Sequence, residues 1–141
     1  MLLSNYAEDN RGLINISGAG WDTIEARAPI VGAPGVPDDQ QPKALIQGFL
    51  VMRLLFHPTE TGRDLAFTVI IIDADGNEVA KASGQAHIAK IADLPPGWLQ
   101  GVNMIVPLGG IPLPKFGHYS VVVLADNQHV GDLSFRVLKK Y

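Results

Sequence analysis

Cysteine is absent from this chain of 141 residues. Its absence excludes disulfide bonds, thiolate nucleophiles and cysteine-ligated zinc or iron–sulfur sites. A domain of about 150 residues buries about 68–70% of the surface of its extended chain, so one hydrophobic core is sufficient without such cross-links. We predict a single domain over residues 1–141 and, with no cysteine in the chain, a cytoplasmic location.

The chain also has little excess of either charge sign. The formal net charge is −3, and the 11 lysine and arginine residues are dispersed along the sequence, so no basic stripe is available to attract nucleic acid. The first nine residues lack the basic start and the apolar core of an export signal. The longest apolar stretch, 44–56, is shorter than the roughly 20 residues that span a bilayer. We expect neither nucleic acid nor a membrane as a partner.

No segment has the 3.6-residue apolar periodicity of a long amphipathic helix. Glycine and proline are frequent instead, with 15 and 10 residues, while 47% of the chain is apolar. A turn-rich but apolar composition favours an all-β fold over disorder. The Pro/Gly-rich segment 29–42 is the longest predicted loop, and we favour disorder or an inter-subunit arm there over a ligand lid.

Turn residues between apolar segments predict how the strands follow one another. A hairpin is expected over 2–17, with its turn at 9–12, and a bend at Gly18–Gly20 follows it. The segment 57–63 is interpreted as the turn of a second hairpin, and 73–77 as the turn of a third. Separate strands are predicted over 78–83 and 85–91.

The segment 112–125 is the most informative part of the sequence. A proline-rich approach leads to Gly117 and Tyr119, and Tyr119 opens an apolar run that ends at Ala125. This order is typical of a tyrosine corner, in which the phenol ties a crossing loop to a β-sandwich. We therefore predict an antiparallel β-sandwich of eight or nine strands, Ig-like or C2-like.

The central strands, 65–72 and 119–124, are apolar at both alternating sets of positions. A sheet with one solvated face has polar residues at every second position, so something is expected to cover the second face. The candidates are the segment 29–42 and a second copy of the chain. Because symmetric dimers are the commonest soluble assembly, we predict a homodimer.

Three acidic residues form a candidate metal site. Asp73 and Asp75 stand at alternate positions, as calcium ligands do, although the spacing fails to match an EF-hand loop. A sandwich could gather Asp73, Asp75 and Asp126 at one end if the strands that end there run in the same direction, as in calcium-dependent C2-type domains. We favour the alternative, a hairpin turn that side-chain-to-backbone hydrogen bonds stabilise.

Patterns that carry catalysis are missing from the sequence. The four histidines (His57, His87, His118 and His129) lie in separate segments without the spacing of metal ligands. No serine lies in a Gly-x-Ser-x-Gly elbow, and the segment 18–20 lacks the third glycine of a dinucleotide site. We expect no enzyme activity and no cofactor, and a hydrolase with an unrecognised site stays as an alternative.

Two tryptophans are candidates for a binding role. Trp98, in the loop 95–99, could be an exposed anchor for a glycan or a protein, because aromatic residues dominate binding hot spots. We favour the other interpretation, in which Trp98 folds back over the end of the sandwich. Trp21 is interpreted as a residue of the core or of a strand wall.

Three parts of the sequence carry a resemblance to a known family. They are 5–7 with 12–24, then 73–76, then 113–119 with the strand that ends at Asp126. They resemble an uncharacterised family of small bacterial single-domain β-sandwich proteins, in the same order and over most of the chain. The resemblance implies the fold and brings no activity and no catalytic residue.

The sequence leaves two main functional hypotheses. We favour a non-enzymatic protein-interaction or assembly module, because the central strands are apolar on both faces and no catalytic pattern is present. The alternative is a small-ligand or carbohydrate-binding module that uses the loops around Trp98.

Overall fold

The computed structural model describes residues 1–11, 13–30, 35 and 41–141. Extended strands account for nearly all of its regular structure, which confirms the all-β prediction. The strands are β1 (Leu2–Asn10), β2 (Leu13–Ala19), β3 (Thr23–Ala26), β4 (Ala44–Leu45), β5 (Phe49–Phe56), β6 (Arg63–Asp73), β7 (Glu78–Ile88), β8 (Gln100–Pro107), β9 (Pro112–Leu113), β10 (Gly117–Ala125) and β11 (Gln128–Lys139). No helix in the described part of the chain is long and apolar enough to cross a membrane.

Two main sheets form the sandwich. The four-stranded sheet has the order β2-β1-β5-β8, and the five-stranded sheet has the order β3-β11-β10-β6-β7. The prediction of a sandwich is confirmed, but the described residues form 11 strands because the two-residue strands β4 and β9 pair as a small third sheet. One pairing departs from the predicted antiparallel arrangement, since β3 runs parallel to β11.

The core lies between the two main sheets. Leu50 and Met52 of β5 belong to the same buried cluster as Val121 and Val123 of β10, because every second residue of a strand points to the same face. A smaller cluster of Phe56, Leu65 and Ile88 closes one end of the sandwich.

Two predicted hairpins are confirmed. The strands β1 and β2 pair antiparallel around a turn at which Arg11 takes a φ of 54°, while Gly12 lies outside the described residues. The strands β6 and β7 pair in the same way around the turn 74–77. The predicted bend between β2 and β3 is also present, with a φ of 63° at Gly18 and 80° at Gly20, which is a conformation that favours glycine.

The prediction of a hairpin at 57–63 is wrong, because β5 and β6 belong to different sheets. A single 3₁₀ turn at Pro58–Glu60 carries the chain across. The His57 ring accepts a hydrogen bond from Thr59 N, and the Glu60 carboxylate accepts one from His57 N at 2.8 Å. This capping box stabilises the turn that carries the chain from the four-stranded sheet to the five-stranded sheet.

The separation of 78–83 from 85–91 is also wrong, because β7 is one continuous strand. At Gly84, the ring of its cross-strand partner Phe67 occupies the space that a side chain would fill. A glycine is therefore accommodated within the strand and does not end it. Most of the segment 29–42, for which we predicted disorder or an inter-subunit arm, lies outside the described residues.

The two ends of the sandwich carry different loops. What we call the corner end holds the turn 74–77 and the start of β10, since Asp73 pairs with Tyr119. The loop end holds the turn 57–62, the loop 89–99 and the turn 126–127, since Arg63 pairs with Ile88 and Phe56 with Gln100. The candidate site residues divide between these two ends.

Candidate interaction surface

Tyr119 anchors the corner end through both backbone polar groups of one residue, Lys115. Its hydroxyl donates a hydrogen bond to Lys115 O at 2.6 Å and accepts one from Lys115 N at 2.9 Å. The ring is 2% exposed and stacks on Phe135 with a centroid separation of 5.3 Å. Burial raises the pKa of the Tyr119 phenol, so it stays a neutral donor and acceptor. Gly117, between the two partners, has a φ of 117°. This is the arrangement that the tyrosine-corner pattern predicts.

Asp73 closes the adjoining hairpin turn. Its Oδ1 accepts hydrogen bonds from Asp75 N and Asn77 N, each at 2.9 Å. The backbone hydrogen bond from Asn77 is the main reason why the pKa of Asp73 lies below its ordinary value. Lys115 Nζ lies 3.6 Å from the Asp73 carboxylate and 3.1 Å from that of Asp75. The carboxylate therefore serves the turn, as the favoured alternative predicts.

Asp126 lies at the opposite end of the sheet. The register pairs Asp73 with Tyr119 but Phe67 with Ala125, so six residues of strand separate the two positions. Asp126 accepts hydrogen bonds from Arg63 Nη1 at 2.7 Å and from Ala66 N at 3.2 Å, and the bond from Arg63 lowers its pKa. The alternative in which Asp73, Asp75 and Asp126 share a calcium ion is therefore wrong. β6 and β10 run antiparallel, so these two strands end at opposite ends of the sheet.

The histidines remain in separate places. His57 caps the turn at Pro58–Glu60, His87 lies 2.9 Å from Asp64, His129 lies 3.5 Å from Asp132, and His118 is exposed on β10. Within the described residues, no three His, Cys, Asp or Glu side chains are grouped closely enough to hold a metal ion.

Trp98 projects into solvent at the loop end. Its side chain is 61% exposed, so the interpretation that it folds back over the sandwich is wrong. The local chain is nevertheless tied down: Trp98 N donates to Pro95 O at 3.1 Å, and the buried Gln100 side chain donates through Nε2 to Ala89 O. Gly97 allows the tight turn with a φ of 84°. The ring is therefore presented by a loop whose base is fixed.

Two further large apolar side chains are exposed at the loop end. Leu99 is 52% exposed and Leu55 is 60% exposed. Leu55 pairs with Gly101 and faces outward from the four-stranded sheet, and Leu99 directly precedes β8. We call Leu55, Trp98 and Leu99 the Trp98 surface. The sequence carried a signal for Leu55, because it is apolar at a position that alternates with the inward-facing Leu54 and Phe56.

Arg53 borders this surface. Its Nη1 donates to Asn103 Oδ1 at 2.9 Å across the β5–β8 pair. The guanidinium lies over Gly101, where a Cβ would overlap it. Among the described residues, no carboxylate forms an ion pair with Arg53. A groove of about 460 Å³ runs from Arg53 and Leu55 past Glu60 to Asp126, so a guanidinium, apolar side chains and carboxylates share one recess.

Trp21 lies at the corner side of the four-stranded sheet. It is half-buried, and its ring meets Phe135 edge-on at 6.4 Å, as expected for a strand-wall residue. Its Nε1 is buried and has no hydrogen-bond partner among the described residues. A recess of about 570 Å³ beside it also contacts Asn5 and Gln47. Trp21 and Trp98 therefore lie at different ends of the sandwich.

Comparison with known proteins gives a family but no activity. The model of a family described as a family of unknown function, DUF6941, matches residues 1–138. The chain belongs to this family. No curated protein and no solved structure matches it.

Proposed function

We propose that this member of DUF6941 is a non-enzymatic protein-interaction module whose partner binds the Trp98 surface. The observation that carries the proposal is the 61% exposure of Trp98 on a loop with a fixed base. Exposed aromatic and large apolar side chains that lie together are typical of binding hot spots. Because the base of the loop is tied, little backbone conformational freedom would be lost on binding.

The charged side chains around both ends support a binding role over a catalytic one. The Asp73 carboxylate holds a turn, and Asp126 is engaged by Arg63 and Ala66 N. Carboxylates committed in this way are poor general bases, because hydrogen bonds to the charged form hold their pKa values down.

A cytoplasmic location and a bacterial origin stay parts of the proposal. The first rests on the missing cysteine and the second on the resemblance.

The proposal is tested by comparing two variants that each remove an exposed apolar side chain. The purified chain, Trp98→Ala and Leu13→Ala are immobilised, and proteins captured from an extract of the source organism are quantified. Leu13 is 73% exposed in the β1–β2 hairpin and is the matched control. We expect at least one captured protein to be lost with Trp98→Ala and kept with Leu13→Ala. Identical captured sets for all three proteins would refute the proposal.

Alongside partner binding at the Trp98 surface, we propose that the chain forms a homodimer. Its support is a row of half-buried apolar side chains on the outer face of β6 and β10, formed by Ile70, Ile72, Val122 and Leu124. Sedimentation velocity at micromolar concentrations should give a dimer that Val122→Lys dissociates. Leu13→Lys, at a residue that is 73% exposed in the β1–β2 hairpin of the other sheet, should leave it intact. A monomer in the unmodified chain would remove this part of the proposal.

Small-ligand or carbohydrate binding is the second candidate. Its support is the exposed Trp98 ring together with a groove of about 460 Å³ that Arg53 and Leu55 line. Aromatic rings and a few polar groups in a recess are the usual elements of such sites. A glycan array and a panel of small carboxylates test it, with the expected signal lost in Trp98→Ala. Absence of any signal from the unmodified chain would reject this candidate.

A further inference from the structure

One cross-strand row on the outer face of the five-stranded sheet carries a charge at each end. Val122 of β10 pairs with Asp132 of β11 on one side and with Ile70 of β6 on the other. Ile70 pairs in turn with Lys81 of β7. Residues that pair directly point to the same face of a sheet. Across the four strands, the side chains of this row are therefore acidic, apolar, apolar and basic in turn.

This row points away from the core. The residues that flank Ile70 and Val122 along their strands are buried in the core cluster (Val69, Ile71, Val121 and Val123). Successive side chains of a strand alternate between the two faces, so Ile70 and Val122 face outward. Both are half-buried, while Asp132 and Lys81 are exposed.

The neighbouring rows of the same face are accessible as well. Towards the loop end the row is His129, Leu124, Thr68 and Ser83, and towards the corner end it is Ser134, Ser120, Ile72 and Glu78. Every one of these residues is exposed or half-buried. The accessible area therefore extends over three rows, with the charged row at its centre.

A second copy of the chain is complementary to the charged row. Its middle strands are β10 and β6, so Asp132 and Lys81 lie at equal distances, about 7 Å at the usual strand spacing, from the line between these strands. A two-fold axis along that line, placed between two facing sheets, exchanges the two halves of the row. Asp132 of each copy then lies opposite Lys81 of the other copy, and Val122 lies opposite Ile70.

Charge favours this axis over one at right angles to the strands. The second axis would place Asp132 opposite Asp132 and Lys81 opposite Lys81, and like charges in contact weaken association. The axis along the strands also keeps the strand directions of the two sheets nearly aligned, which is a usual geometry of sheets packed face to face about 10 Å apart. An extended lysine side chain crosses such a spacing to reach an aspartate.

We infer that two copies pack the outer faces of their five-stranded sheets together around a two-fold axis between β6 and β10, and that Asp132 and Lys81 form an ion pair twice across this interface. Burial of Ile70 and Val122 stabilises the dimer, while the ion pairs fix its register and disfavour unmatched partners. The inference rests on the homodimer of the proposed function and adds its symmetry and the residues that determine its specificity.

The experiment uses two charge reversals, Asp132→Lys and Lys81→Asp. A dimer of either variant alone would bring like charges together at both contacts. In an equal mixture of the two variants, the new lysine of one faces the new aspartate of the other, and the original lysine faces the original aspartate. Two chains that fail to associate with themselves should therefore associate with each other.

Sedimentation velocity over a series of concentrations gives the dimer Kd of the unmodified chain, of each variant and of the mixture. Energy transfer between differently labelled variants identifies the mixed dimer. Lys90→Asp and Asp93→Lys are the controls, because they make the same charge reversals at exposed residues of the loop 89–99.

The inference predicts that each interface variant raises its dimer Kd by about tenfold or more, while the mixed dimer has a Kd within about threefold of that of the unmodified chain. The controls should change the dimer Kd by less than about twofold. Because the ion pairs lie at the border of the apolar centre, added salt should also raise the dimer Kd of the unmodified chain.

Four results would overturn the inference. A dimer that neither interface variant weakens would overturn it and leave the homodimer standing. Variants that stay monomeric when mixed would show that Asp132 and Lys81 do not face each other. Equal weakening by the controls would assign the effect to net charge. A monomeric unmodified chain would remove a second copy as the occupant of this face, and the proposed homodimer with it, while partner binding at the Trp98 surface would stand.

Discussion

The two ends of the sandwich use their polar and aromatic residues in opposite ways. At the corner end, Tyr119 is buried, stacked on Phe135 and bonded to both backbone groups of Lys115. At the loop end, Trp98 is 61% exposed although the base of its loop is fixed. The contrast indicates that the first end stabilises the fold, while the second leaves apolar area exposed, and we propose that a partner binds there.

The largest difference between the ends is expected from Tyr119. Tyr119→Ala should lower the free energy of unfolding by about 3–5 kcal/mol, the usual cost of removing a buried aromatic side chain. Tyr119→Phe keeps the ring and removes only the hydroxyl, so it should cost about 1 kcal/mol. Urea unfolding measures both values. Equal losses for the two variants, or no loss for either, would contradict the assignment of Tyr119 as the anchor.

Gly117 gives a smaller effect at the same end. Its φ of 117° is strained for any residue with a side chain, so Gly117→Ala should destabilise the chain by about 1–3 kcal/mol. A Cβ would meet no atom there, which leaves the backbone as the only source of the loss. Gly109→Ala is the control, because Gly109 also has open space and its φ lies outside the left-handed region. Thermal unfolding that treats the two variants alike would show that the backbone at Gly117 is not the constraint.

Acid should destabilise both ends of the sandwich, because each end is held by a carboxylate that becomes protonated. The pKa values of Asp73 and Asp126 are lowered in the folded chain, from an ordinary value of 3.8, by hydrogen bonds from Asn77 and Arg63 respectively. A carboxylate with a depressed folded pKa contributes stability above its unfolded pKa and loses it as the pH falls through the folded value. Stability should therefore fall below about pH 4, and less steeply in Asp73→Asn and in Asp126→Asn. An acid slope unchanged in both variants would count against this origin.

The sequence predicted the corner end better than the loop end. Tyr119, Gly117 and the Asp73 turn act within a few residues of their partners, so local pattern is enough to identify them. The position of Asp126 depends on which strands neighbour each other, and sequence order did not reveal that β6 and β10 run in opposite directions. The error at 57–63 has the same origin, because a turn between two apolar strands looks alike whether the strands pair or change sheets.

The exposure of Trp98 could not be read from composition. A tryptophan beside prolines is equally compatible with a ring that covers the core and with one that projects into solvent. The choice depends on whether the space over Phe56, Leu65 and Ile88 is already filled, and these residues form a closed cluster of their own. The position of β8 at the end of the four-stranded sheet was also hidden, because local sequence pattern does not give the order of the strands.

The most direct measurement is the effect of Trp98→Ala on stability and on partner capture in the same preparation. The account predicts a free energy of unfolding within about 0.5 kcal/mol of the unmodified chain, as for other surface substitutions, together with the loss of a captured protein that Leu13→Ala retains. A loss of stability above about 1 kcal/mol, or an unchanged set of captured proteins, would contradict the division between a stabilising end and a binding end.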